Sequence, residues 1–399
     1  MDLQTIKEYD KKYFMNTYGN RTDVVFTHGE GMFLYSTEGK KYMDLLAGIA
    51  VSALGHNHPK LTGAIIEQAK KYIHSSSLYY IDKQALLAKK IVENSCADKV
   101  FFSNSGAEAN EGAIKLARVY HQKKGNIRKF EIITLEKSFH GRTLATIAAT
   151  GQEKYHKHYD PLTPTFKSIP MNDVEAFKKM IDENTCALMI EPIQGESGVN
   201  PVSKEYVKQI RKICDENDII LMFDEVQCGM GRTGKLFAYE HLEVEPDIFT
   251  LAKALGGGFP IGALCAKEKF SAFEPGDHGS TFGGNPLACA AGLAVFDAFL
   301  EENLVSRGNA VGEYLIRKLT KLKNSSAVIS EVRGMGLMIG IEFNQDIAKK
   351  IKSMLFDAGF LVGSVHENII RLLPPLIISE QDADQFIKAF ALILEGIGS

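Results

Sequence analysis

Residues 219–253 read IILMFDEVQCGMGRTGKLFAYEHLEVEPDIFTLAK. The stretch opens on a continuous apolar run, Ile219–Phe223, and Asp224 and Glu225 follow at once. A short apolar run without alternation predicts a strand buried on both faces, here one that delivers acids to its carboxyl end. A second run, Asp247–Leu251, predicts a neighbouring strand that delivers Lys253. Ligands of open α/β sheets bind beyond the carboxyl ends of the strands. The two runs therefore predict a carboxylate and an amine at one sheet edge, 29 residues apart in the chain and followed by the glycines 256–258.

Each residue alone has an ordinary use. A lysine after a strand is commonly solvated, and an aspartate there commonly caps a helix or a turn. Together they suit pyridoxal phosphate (PLP), which takes a lysine for its Schiff base and a carboxylate for its pyridinium nitrogen.

Outward from this stretch the chain alternates. Strands are predicted at Val100–Phe102, Glu131–Leu135, Ala187–Ile190 and Gly262–Ala266, with helices at Ala107–His121, Asp173–Asn184 and Ser203–Asn217. That rhythm implies an α/β fold with a mostly parallel sheet covered by helices. Before it, a hairpin is predicted around 36–39 and helices at 60–73 and 82–95. After a long helix from Pro286 the order loosens. Helices at 305–323, 346–358 and 380–397 and strands near 328–343 and 360–373 read as a smaller α+β part. The expected organisation is an N-terminal segment, 1–50, that joins the small domain, a cofactor-binding large domain, 51–290, and a C-terminal small domain, 291–399.

Three loops carry candidate chemistry. Ser105, Gly106 and Ala107 lie between a strand and a helix, where small residues let an anion reach helix N-terminal N–H groups. In SFHGRT, Phe139 can cover a flat ring and Arg142 can hold a carboxylate bidentately. Gly229–Gly234 matches GxGxxG, but five residues separate it from the preceding strand and no helical stripe follows. It is therefore not a dinucleotide fingerprint. His56 and His58 read as loop residues, because no third metal ligand is evident and no metal is expected.

Composition narrows the class. Of 399 residues, 45% are hydrophobic and 24% charged, with a net charge of −3, so nothing favours nucleic acid or an anionic membrane as partner. Six scattered cysteines predict free thiols in a reducing compartment. The start, MDLQTIKEYDKKYF, lacks an apolar core or a basic, acid-poor leader, and a cytoplasmic location is expected.

The stretches NTYGNRTDVVF, SNSGAEANEGAIKLAR, SFHGRT, EPIQGESG, LMFDEVQCGMGRTG, LAKALGGGFPIGA and GSTFGGNP, in this order from Asn16 onward, resemble the class III (ω-amino-acid) aminotransferases of PLP fold type I. Within them the chain is most similar to the branch that uses N-acetylornithine as amino donor and 2-oxoglutarate as acceptor, with glutamate as product. The resemblance implies a homodimer with sites at the subunit interface. It implies that Lys253 forms the Schiff base and moves the proton, and that Asp224 serves the pyridine nitrogen. Gln227 faces the phenolic oxygen, Phe139 stacks on the ring, and Gly106 and Ala107 cradle the phosphate, which Thr281 reaches from the partner. Arg142 and Ser280 contact acetylornithine. Arg371 holds the α-carboxylate of glutamate, and Glu196 can pair with it. At Ile49 the ornithine branch carries a tyrosine, so an apolar side chain here favours an N-acylated donor. These motifs do not separate acetylornithine from succinylornithine, 4-aminobutyrate or a lysine precursor.

Overall fold

The computed structural model of the chain describes residues 1–19 and 21–398; Asn20 and Ser399 lie outside the described residues. A seven-stranded sheet forms the centre. Its spatial order is Lys99–Ser103, Gly262–Ala266, Ile248–Leu251, Ile220–Asp224, Thr185–Ile190, Glu131–Leu135 and Phe166–Ile169. Only Gly262–Ala266 runs against its neighbours. The two strands of the opening stretch are adjacent and parallel, with Asp224 beside Thr250.

The apolar runs are buried on both faces because the side chains alternate between two cores. Ile220 and Met222 pack with Ala113, Ile114 and Ala117 of the helix Gly106–Lys123. Leu221 and Phe223 pack on the other side with Val207 and Ile210 of the helix Lys204–Glu216. Full burial of a side chain such as Phe223 contributes about 1.5–3 kcal/mol. The helix Pro286–Glu301 is apolar nearly all round and lies against the helices Pro59–Lys71 and Asp82–Glu93.

Two smaller sheets complete the fold. Phe26–Glu30, Phe33–Ser36 and Lys41–Asp44 form an antiparallel sheet, and Phe360–Leu361 joins it parallel to Lys41–Asp44. The chain's beginning thus pairs with its C-terminal part. The second sheet places Ile369–Leu372, with Arg371, between Met338–Phe343 and Gly363–Val365.

Several local expectations need correction. The helix expected over Asp173–Asn184 spans only Val174–Met180. Asp182 Oδ1 accepts from the N–H of Asn184 at 2.9 Å, and this local turn competes with further helix. The helix Leu3–Tyr13 and the edge strand Phe166–Ile169 were not anticipated. The Gly229–Gly234 segment opens no helix, the next being Tyr239–Leu242. It is instead a bridge to the C-terminal part. Fully buried Arg232 donates from Nη1 to the carbonyl of Leu337 at 3.2 Å and to that of Pro374.

Gly336 sits against this bridge at φ +54, and a Cβ there would meet the backbone carbon of Thr233 at 2.4 Å. Gly336→Ala is expected to destabilise the fold by roughly 2 kcal/mol or more, combining left-handed strain with a backbone clash. Gly63, inside a helix and facing open space, is the control. Gly63→Ala should stabilise by about 0.5–1 kcal/mol. Urea denaturation midpoints of the two variants check both signs.

Candidate active site

The carboxyl ends of the central strands open into a cavity of about 440 Å³. Asp224, Lys253, Glu191, Phe139, Arg142 and Gln227 all line it, as do Gly106, Ala107 and Glu196. Asp224 ends its strand and points into the cavity. Glu225 follows it and faces the other way, accepting from the N–H groups of Ala238 and Tyr239 at 2.6 and 2.7 Å. Burial pushes its carboxyl up to about 8.

Asp224 is 4% exposed and collects three donors. Asn110 Nδ2 lies 2.8 Å from Oδ2, His140 Nδ1 2.8 Å from the same oxygen, and Val226 N 3.0 Å from Oδ1. Asn110 is itself held by Thr250, whose hydroxyl donates to Oδ1 at 2.6 Å, and it also donates to the carbonyl of His140 at 2.7 Å. Both oxygens of the Asp224 carboxyl are thus hydrogen-bonded within the chain. Neither Asn110 nor His140 stood out by residue type. Both lie in motifs already singled out, and their proximity to Asp224 was the missing information.

Lys253 begins a short 3-10 turn after its strand with φ +46, an uncommon backbone state for a side-chain-bearing residue. Burial lowers the pKa of its ammonium; Glu196 and Asp224 oppose this and Arg371 reinforces it. Arg371 is 4% exposed and reaches across from the C-terminal sheet. Its Nη1 donates to Glu196 Oε1 at 2.7 Å, to the carbonyl of Gly195 at 2.9 Å and to Gln227 Oε1 at 3.2 Å. Burial opposes ionisation of Glu196, but the charge and bond of Arg371 prevail and its carboxyl lies below the ordinary value. Gln227 Nε2 also donates to Glu196, so this amide bonds to the Arg371–Glu196 pair within the chain. A Cβ at 195 would meet Gln227 Oε1 at 1.9 Å, so a side chain there would displace the Gln227 amide.

Arg142 is exposed and in none of the ion pairs among the described residues; its guanidinium lies 4.2 Å from the ring centre of Tyr155 and 5.7 Å from that of Phe139. Ser105 caps the helix Gly106–Lys123, accepting from Glu108 N at 3.2 Å. A Cβ on Gly106 would meet the Val226 side chain at 2.6 Å, so the helix start packs directly on the turn that follows Asp224. Ser280 and Thr281 do not line the Lys253 cavity. They line a separate one of about 370 Å³, whose wall shares Asn104 with the first. The Ile49 loop is a left-handed turn, with φ between 50° and 66° at Ala47, Gly48, Ile49 and Ala50. Asp44 Oδ1 accepts from the N–H groups of Leu46 and Ala47, and Asp44 Oδ2 lies 2.9 Å from His56 Nε2.

A buried amine, a carboxylate with three donors, a half-buried aromatic and a glycine-lined helix start surround one cavity. That donor set fits PLP. In a larger groove of about 680 Å³ between the helices 59–71, 82–93 and 286–301, Lys60 pairs with Glu301 and Lys90 with Asp297.

Residues 14–394 match the family model described as Aminotransferase class-III. The chain belongs to the class-III aminotransferases. It is 51% identical over 389 residues to the acetylornithine aminotransferase of Caldanaerobacter subterraneus subsp. tengcongensis, covering 98% of this chain and 99% of that one. Among solved structures, the acetylornithine aminotransferase from Elizabethkingia anophelis matches with a TM-score of 0.89 at 35% identity, over 99% of this chain and 100% of that chain. The ornithine aminotransferase from Toxoplasma gondii, crystallised with oxidised glutathione and showing partial occupancy of PLP at its active site, matches with a TM-score of 0.95 at 30% identity, over 99% and 95%.

Asp224→Asn is expected to fold and bind PLP but to lose roughly hundredfold or more in turnover, because an amide cannot hold a proton on the ring nitrogen by charge. Absorbance of bound cofactor and steady-state rates, measured on one preparation, check this. Near-normal turnover would make Asp224 only a structural cap.

Proposed function

We propose that the chain transfers the δ-amino group of N-acetylornithine to 2-oxoglutarate, giving N-acetylglutamate 5-semialdehyde and glutamate, a step of arginine biosynthesis. The observation that carries this reading is the engaged Arg371–Glu196 pair in the wall of the Lys253 cavity, with Arg142 free on another side. Relatives named acetylornithine aminotransferase, at about half identity over nearly the whole chain, support it.

The cofactor is PLP, which when bound supplies an electron sink for the pair left as a C–H bond beside the reacting nitrogen breaks. Lys253 is the residue that carries it and moves the proton. Burial lowers the pKa of its ammonium, so the free amine needed to take a proton is accessible. Asp224, oriented by Asn110 and His140, keeps the ring nitrogen protonated. Phe139 covers the ring, and Ser105, Gly106 and Ala107 bind the phosphate at the helix start. Gln227 serves the ring oxygen from its place beside Glu196.

One pocket must take a terminal amine and later an α-keto acid. The α-carboxylate lies next to the reacting carbon of 2-oxoglutarate and three bonds further off in acetylornithine, so one rigid arginine cannot clamp both. Glu196 occupies Arg371 when no α-carboxylate is near, which avoids an unpaired buried charge. Arg142 then takes the distant carboxylate of acetylornithine. Ile49 offers no hydroxyl to a free α-ammonium, which fits an acylated donor.

Losing a charge-assisted bidentate contact costs about 1.5–3 kcal/mol, or roughly ten- to a hundredfold in the affected half-reaction. Arg371→Ala should slow the 2-oxoglutarate half far more than the acetylornithine half, and Arg142→Ala the reverse. Single-turnover absorbance follows each half alone, and purified succinylornithine, ornithine and 4-aminobutyrate serve as competing donors. Equal slowing of both halves by both variants would sink the division of labour.

The active form is proposed to be a homodimer. Ser280 and Thr281 line a cavity apart from Lys253, which suits service to a partner's site. Phe282 beside them is 60% exposed on the single chain, and Leu78 and Tyr79 are also bare, at 85% and 69%. Light scattering should give twice the chain mass, and Tyr79→Asp should shift the protein toward an inactive monomer. A fully active monomer would end this reading.

A further inference from the structure

Parallel pairing sets Phe223 beside Ile190, so the next residues, Asp224 and Glu191, leave adjacent strands at one level of the sheet. Both are buried, at 4% and 5% exposure, and both line the Lys253 cavity. Their surroundings differ. Asp224 collects three donors, as described. The carboxylate of Glu191 accepts one hydrogen bond, from the N–H of Phe139 at 2.8 Å, and among the described residues it forms no ion pair within 4.0 Å.

The titratable groups facing Glu191 are Asp224, Glu196, Lys253 and Cys228, and His140 in the adjoining loop is engaged by Asp224. A buried carboxylate in no ion pair neutralises rather than persisting as a charge; Lys253 favours the charged form, but less than burial and Asp224 oppose it. Two carboxyls side by side do not both ionise readily, and the proton goes to the one with fewer donors.

We infer that Glu191 is the proton-carrying member of the Glu191–Asp224 strand-end pair, and that as a neutral acid it positions the Ser138–Thr143 loop without adding a second negative charge beside the cofactor ring. That loop carries Phe139, His140 and Arg142, and the acceptor at Phe139 N helps to set it together with Thr150 at His140 N and Gln152 at the Ser138 carbonyl. A neutral carboxyl oxygen accepts from an N–H without needing charge. Burial first, and then the charge of Asp224, push the Glu191 carboxyl well above its ordinary value, in agreement with the geometry. Glu191 is a positioning residue on this account. The inference rests on assigning Asp224 to the ring nitrogen, and it is independent of which amine is the donor.

Glu191→Gln keeps the size, the acceptor and the zero charge; Glu191→Ala loses the acceptor. The first measurement uses the PLP-free protein. The folded parent holds a proton that its unfolded chain gives up above about pH 4.3, so its stability falls as pH rises toward the folded pKa. The Gln variant has no such loss. Its melting temperature relative to the parent should therefore climb steadily between about pH 5 and pH 8. Glu225 titrates in both proteins and cancels in the difference.

The second measurement is PLP affinity. Glu191→Gln should bind within about twofold of the parent and keep the pH profile of turnover, whereas Glu191→Ala should bind about tenfold more weakly. A melting difference that is flat or falls with pH would show an ionised Glu191 and overturn the inference. So would a Gln variant that fails to fold, since it preserves everything a neutral Glu191 supplies. Unchanged PLP affinity in the Ala variant would remove the positioning role. If Asp224→Asn turned over normally, the ring-nitrogen assignment would fail, while the melting difference would still report the proton on Glu191.

Discussion

The structure depends on burying the Asp224 carboxylate at the end of a strand that is apolar on both faces. A charge there is costly unless donors are brought to it. The donors come from separate elements. Asn110 comes from the helix Gly106–Lys123, His140 from the loop after the strand Glu131–Leu135, and Val226 N from the turn that follows Asp224 itself. Thr250, on the neighbouring strand that leads to Lys253, orients Asn110. Satisfying one carboxylate thus ties the cofactor-bearing strand, the helix start and the aromatic loop into one rigid edge. Preorganised sites of this kind require no rearrangement when charge develops.

A second tie runs between sheets. Arg371 sits in the middle of the C-terminal sheet, yet its guanidinium is bonded to Gly195, Glu196 and Gln227 at the central sheet's edge. Gly195 leaves room for the Gln227 amide, whose Oε1 would lie 1.9 Å from a Cβ there. Arg232 makes a parallel link lower down, through carbonyls rather than a carboxylate. One of these buried arginines has an acid that can compete with a ligand. The other has none among its bonded partners and acts as a fixed bridge.

The alternating elements were legible because local signals agreed with the fold. Ile220–Asp224, Ile248–Leu251 and Glu131–Leu135 appear within a residue of expectation, and the period of the Gly106–Lys123 helix points its apolar face at the sheet. Failures came where a local side chain decided matters, as with Asp182 ending its helix early. They also came where strand identity depends on a neighbour, as at the edge strand Phe166–Ile169. Motif residues with distinctive chemistry, such as Lys253 and Asp224, could be singled out in advance, and Arg371 came only from the resemblance. Glu191 and Asn110 could not, because an acid after a strand and an amide in a helix are ordinary until their partners are known.

By itself, the sequence determined the parallel α/β architecture, the pairing of an amine with a carboxylate at one sheet edge, and the exclusion of Gly229–Gly234 as a nucleotide loop. Each follows from spacing and periodicity, which are local. Tertiary structure alone decided that Glu225 turns away to Ala238 and Tyr239, that Glu191 lies level with Asp224, and that the Arg371 side chain also bonds Gly195 and Gln227 from another sheet. It also placed Ser280 and Thr281 away from the Lys253 of their own chain. The physical reason is strand register. A shift of one residue would turn every strand-end side chain to the opposite face, and register is fixed only when both cores close around the sheet.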